Sequence, residues 1–284
     1  MAPQVLLAAS LGLVLGHLVR RGTGALARVK IEGLPFRWPW VELGGAVSFA
    51  LVAGWCHWDE PSWFVFSLLL LAATSTDFAF KLIPDRITGP GLLLGIASSA
   101  LFPGRISHFL FHEVLLDMAG LDPGTGGAIL LSCAGALLGF GLLEGFRRLV
   151  GACVGMEVFG MGDSKLLGLM GAFLGPAMIL LSLVPALVAG IVFGVPYTRL
   201  ARTPHLPFGP ALALGGFLTL LYSRFFAGVW VALGEMARSM SPGASLALSI
   251  VLLAIAIGLL IRVRRRRADY ARRIEEDYER LEER

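Results

Sequence analysis

Two aspartates sit at the edges of long apolar runs. Asp163 lies in Gly160-Met161-Gly162-Asp163-Ser164-Lys165, with two glycines before it and an apolar run behind it. Asp77 lies in Ser75-Thr76-Asp77-Phe78-Ala79-Phe80-Lys81-Leu82-Ile83-Pro84-Asp85, where an apolar run gives way to a loop carrying Lys81 and Arg86. A carboxylate in or beside a membrane segment is costly, so it normally faces protein or a watery cavity and is a functional candidate. Two such groups held close cannot both ionise easily, and the pair shares a proton. That state suits peptide hydrolysis. The ionised member takes a proton from water, and the protonated one polarises the scissile carbonyl and later protonates the leaving amine. Neither a metal nor a covalent intermediate is required, and no cofactor is expected. Gly160 and Gly162 lack a Cβ, so another segment, such as an extended substrate strand, could approach closely beside Asp163.

Other polar residues have competing readings. Asp85 is eight residues beyond Asp77, about two helical turns away, and follows Pro84. It rivals Asp77 as a candidate, although a turn or cap position suits it. Glu157 could tune the pair or be a loop carboxylate, and spacing leaves both open. Lys165 could stabilise a neighbouring carboxylate, although orienting a helix end by the bias of basic residues is favoured. His108 and His112, with Glu113 adjacent and Asp117 further on, read as an amphipathic outer-loop helix rather than a metal site. Cys56, Cys133 and Cys153 are scattered and form no Cys-x-x-Cys pair, so a zinc or thioredoxin-like centre has no ligands.

The elements that must position these residues are membrane helices. Of the 284 residues 56% are hydrophobic and 15% charged, which argues against a soluble globular protein. Apolar runs recur at 3–19, 41–55, 63–76, 89–102, 126–143, 166–174, 178–195, 211–229 and 245–261. The expected fold is an all-α, polytopic integral membrane protein with eight or nine transmembrane helices. Its organisation reads as an anchor helix and short basic loop (1–40), a membrane-embedded body (41–262) and a charged helical tail (263–284). The first run has no basic residue before it and Arg20-Arg21 after it, so it reads as an uncleaved anchor. A turn is expected at Gly175-Pro176, since proline cannot continue a helix without losing a hydrogen bond. Alternating the spans puts 21 of the 24 lysines and arginines on one side and leaves only Arg105, Arg224 and Arg238 on the other. The basic side is then cytoplasmic, and Asp77 and Asp163 both face it. The net charge of +4 arises from these flanking clusters, so the partner is a lipid bilayer and no nucleic acid is expected.

Taken together, these segments resemble the prepilin peptidases (type IV leader peptidases) of the Gly-x-Gly-Asp membrane aspartic proteases. Asp77 to Pro90 resembles the family's first aspartate motif and Glu157 to Leu167 its second. Pro207-Phe208-Gly209-Pro210 resembles its late proline-glycine motif, and Trp38-Pro39-Trp40-Val41-Glu42-Leu43 the opening of its second span. The resemblance implies Asp77 and Asp163 as the catalytic pair, with Asp85 in support. It implies a bacterial inner-membrane peptidase that cuts the basic leader of type IV prepilin-like or type II secretion pseudopilin precursors. The cut falls after a glycine, on the cytoplasmic face and ahead of a hydrophobic helix. The family's long form carries a cysteine-rich module after the first span and also N-methylates the new terminus. Residues 20–37 contain no cysteine and are too few for that module, so the resemblance carries proteolysis and not methyl transfer. The alternatives are an inactive paralogue that escorts prepilins, or a carboxylate-based transporter. No inverted repeat of the transporter kind is visible in the sequence.

Overall fold

The computed structural model describes residues 3–27, 39–55, 60–107, 115–154 except 118 and 123, 160–194 and 208–239, with a few positions beyond. Glu157, His108, His112, Glu113, most of the 245–261 run and the charged tail lie outside the described residues. The chain forms two compact units, Met1–Glu144 with Phe159–Ala227, and Gly145–Val158 with Gly228–Arg284. The first holds both aspartates.

Its helices follow the apolar runs. They are α1 (Pro3–Ala27), α2 (Trp40–Trp55), α3 (Ser62–Phe80), α4 (Asp85–Leu101), the short α5 (Gly104–Ser107), the first two-thirds of α6 (Thr125–Val154), α7 (Met161–Ala189) and α8 (Phe208–Leu221). A π-helical turn, Gly190–Gly194, extends α7. The second unit holds the end of α6 and most of α9 (Ser223–Ser239). Among the described residues there is no strand. Four helices (α1, α3, α6 and α7 with its extension) are long and apolar enough to cross a membrane, and α2 and α8 are shorter apolar helices. The protein is therefore an all-α polytopic membrane protein.

The first half of α7 is the centre of the packing. Leu166 to Gly175 is buried without interruption, the mark of a helix apolar on every side. It lies against α4 and α8 and touches α3. Phe173 meets Phe66 of α3 with ring centroids 5.1 Å apart. Past its first residue, where Ser62 Oγ is buried without a partner, hydroxyls of α3 bond within their own helix: Ser67 Oγ donates to Trp63 O (2.8 Å) and Ser75 Oγ to Leu71 O (2.7 Å). This is how hydroxyls are tolerated where water is absent.

The turn expected at Gly175-Pro176 is instead a break inside one helix. Gly175 has φ 76° and ψ 176°, and helical backbone continues on both sides to Ala189. A glycine accepts that φ without steric cost, so the chain loses its helical hydrogen bonding only locally before Pro176. Gly135 of α6 packs there, and a Cβ on it would stand 2.7 Å from Gly175 Cα.

Candidate active site

The ends of two helices build the site. Helix α3 stops three residues after Asp77 because Lys81 takes the left-handed conformation (φ 55°), its N–H donating to Asp77 O at 2.9 Å. Asp77 thus occupies the last turn of a buried helix. Helix α7 starts after Gly160, whose backbone is extended (φ −73°, ψ 150°). Asp163 is its third residue. The Gly160 N–H donates to Asp163 Oδ2 (3.2 Å), and the Asp163 N–H donates to Gly160 O (3.1 Å). The first bond is the acidic half of a capping box. Glycine has no side chain to complete the other half, so its carbonyl takes that part.

The two carboxyl groups come together. Asp77 is 6% exposed and Asp163 8%, and they lie within electrostatic reach of each other. Lys81, one turn on, is the cation that Asp77 feels, and the Gly209 backbone amide at the start of α8 approaches the same carboxyl. Asp77 Oδ2 nonetheless stays buried without a hydrogen-bond partner, as does Ser164 Oγ beside Asp163. A buried, unsatisfied carboxyl oxygen is expensive. Such an atom is suited to receive a substrate group or a water molecule.

The supporting residues separate into two groups. Gly160 and Gly162 lie at the start of α7, beside Asp163. A Cβ on Gly162 would stand 3.1 Å from Ile83 Cβ, so a side chain there would press on Ile83. Pro84 is the extended residue before α4, and Asp85 is the first residue of that helix. Asp85 does not join the pair. Its side chain is 75% exposed and bonds Lys165 Nζ at 2.5 Å. Lys165, expected chiefly to orient a helix end, holds α4 against α7. An apolar cavity of about 500 Å³ opens beside that ion pair, lined in part by Thr88, Leu92, Phe140 and Gly168. Among the described residues no group of three or more His, Cys, Asp or Glu could hold a metal ion.

Two features escaped the sequence reading. Ile83 and Gly209 contact the site directly; both lay in quoted motifs, and neither was given a role. A second buried polar cluster joins α1 to α2. Arg20 Nη1 donates to Glu42 Oε1 (2.7 Å), which also meets His17 Nδ1 (3.0 Å). The signal available in the sequence was Glu42, an acid within an apolar run.

Comparison with known proteins gives this geometry a family. Residues 64–195, which contain both aspartates, match the type IV leader peptidase family. The chain is 30% identical over 214 residues to a prepilin leader peptidase/N-methyltransferase from Neisseria gonorrhoeae, covering 72% of this chain and 63% of that protein. It is 30% identical over 215 residues to the protein of the same name from Pseudomonas putida, covering 74% and 66%. The chain belongs to the type IV leader peptidase family. An Escherichia coli type 4 prepilin-like proteins leader peptide-processing enzyme is 28% identical over 194 residues, 67% of this chain and 63% of that protein. The match thus spans just under two thirds of the length of these relatives. No solved structure matches the chain.

Proposed function

We propose that the protein is a membrane aspartic endopeptidase that removes the leader of prepilin-like precursors, with Asp77 and Asp163 as its catalytic pair. The observation that carries this is the pair itself: two buried carboxyls at the ends of different helices, within electrostatic reach of each other, with Asp77 Oδ2 unpartnered. One carboxylate accepts a proton from a water molecule as the water oxygen attacks the peptide carbonyl carbon. The other, protonated, donates to the carbonyl oxygen, giving a tetrahedral gem-diol. A proton then passes to the amide nitrogen as the carbon–nitrogen bond breaks, leaving a carboxyl terminus and a new amine. Low exposure strengthens these interactions by excluding bulk water.

The relatives' names support a prepilin-type substrate, and the excess of basic residues beside both aspartates supports a site facing the cytoplasm. The cut then falls after the leader glycine at the membrane surface, with the precursor's hydrophobic helix remaining in the bilayer. The proposal covers proteolysis and not the methyl transfer that the relatives' names also carry, because the support is a carboxyl pair. The test is incubation of membranes containing the full chain with pilin-like precursors from the same genome. Mass spectrometry then reads the new N-terminus. A mature terminus directly after the leader glycine is expected. Intact precursor in the presence of folded protein would overturn the proposal in favour of an escort role.

A further inference from the structure

Ile83 lies in the segment of residues 81–84 that joins α3 to α4, and it is buried. Its two ends meet the two halves of the site. Toward α7, a Cβ on Gly162 would stand 3.1 Å from Ile83 Cβ and 3.4 Å from its backbone N and O. Toward α8, a Cβ on Gly209 would stand 2.9 Å from Ile83 Cδ1, 2.7 Å from Asp77 Oδ2 and 3.1 Å from Asp77 Cγ. Gly162 is the residue before Asp163. One side chain therefore spans from the backbone that carries one aspartate to the backbone that packs on the other.

The segment cannot easily yield. At one end the Lys81 N–H is bonded to Asp77 O. At the other, Asp85 is paired with Lys165, and Arg86 Nη1 donates to Ala25 O at 3.0 Å, tying the start of α4 to α1. Isoleucine suits the gap because branching at Cβ restricts its χ1, and close-packed interiors transmit a change of even one methylene.

We propose that Ile83 is a positioning residue for the aspartate pair, a spacer between Gly162 and Gly209 whose size sets the separation of Asp77 and Asp163. This rests on the peptidase reading above. A residue that only filled space would change stability; a spacer changes the distance between the carboxyls and hence the chemical step.

The test has two arms. In the first, kcat and KM for precursor cleavage are measured for Ile83→Val, which lacks only the Cδ1 methyl, and for Ile83→Ala. The expected result is a fall in kcat of about 10-fold for Val and about 100-fold for Ala, with KM steady, as for misplacement by an ångström or less. Gly209→Ala alone is expected to lower kcat, and Ile83→Val is expected to recover part of that loss by vacating the space the new methyl needs. The second arm needs no substrate. Asp77→Cys and Asp163→Cys are combined and cross-linked with bifunctional thiol reagents of graded length, with each single variant as the control for Cys56, Cys133 and Cys153. Adding Ile83→Ala is expected to shift the favoured reagent to a shorter one. An unchanged cross-linking profile, or a fall in kcat/KM that lies wholly in KM, would overturn the spacer. A shifted profile, together with wild-type protein that is folded and cleaves no precursor, would uphold the spacer and overturn the peptidase reading.

Discussion

Glu42 and the aspartate pair are buried alike, at 6% for Glu42, 6% for Asp77 and 8% for Asp163, but their surroundings differ. Glu42 has Arg20 at 2.7 Å and His17 at 3.0 Å on one oxygen. Glu42 Oε2 and Asp77 Oδ2 are alike in having no hydrogen bond, but the electrostatic neighbour of Asp163 is a second carboxyl rather than a cation. The first arrangement compensates a charge and holds α1 to α2. The second leaves its charge under-compensated, which is costly to the fold and useful to acid–base chemistry. Breaking a paired carboxylate should therefore damage the fold, whereas neutralising an uncompensated one should damage activity.

The largest effect expected is on activity at the pair. Asp77→Asn and Asp163→Asn should each slow cleavage by about 10²–10⁴-fold or more, the scale of a lost general acid or base. Their melting temperatures, read in detergent or nanodiscs, should be unchanged or raised, because a neutral amide lightens the cost of burying two carboxyls together. The next effect is on stability at α1–α2. Arg20→Ala should cost about 3–5 kcal/mol, the usual loss when one partner of a buried pair is removed. The loss should appear as a lower melting temperature with the rate per folded molecule retained. Combining Arg20→Met with Glu42→Leu should recover most of it, since an apolar pair of similar size is commonly neutral or better. The same double change at the aspartates would recover nothing in activity. The smallest effect is at Asp85–Lys165. That pair is largely solvent-exposed on the Asp85 side, so Asp85→Asn should change stability by no more than about 1 kcal/mol. Its effect on cleavage should be only a few-fold and should shrink as salt rises.

The pattern of apolar runs made the helices legible because membrane spans need length and hydrophobicity more than particular contacts. The pairing of Asp77 with Asp163 was legible from their shared position at the edges of spans and the common side given by the basic loops. The kink in α7 was misread because proline announces a lost hydrogen bond but does not say whether the chain turns. Here Gly175 absorbs the change in a single residue. Ile83 was invisible since an isoleucine in an apolar stretch carries no chemical signal; only its contacts with Gly162 and Gly209 distinguish it. For Lys165, orienting a helix end was favoured over stabilising a carboxylate, yet it pairs with Asp85, 80 residues away in sequence. Spacing along a chain does not predict that kind of contact.

The most direct measurement compares wild type, Asp77→Asn and Asp163→Asn in one preparation, reading the precursor's N-terminus by mass spectrometry and the melting temperature of each protein. The account predicts a mature terminus with wild type alone, and variants that melt at or above the wild-type temperature. Cleavage retained by either variant, or a loss of cleavage that only follows a collapse in melting temperature, would contradict it.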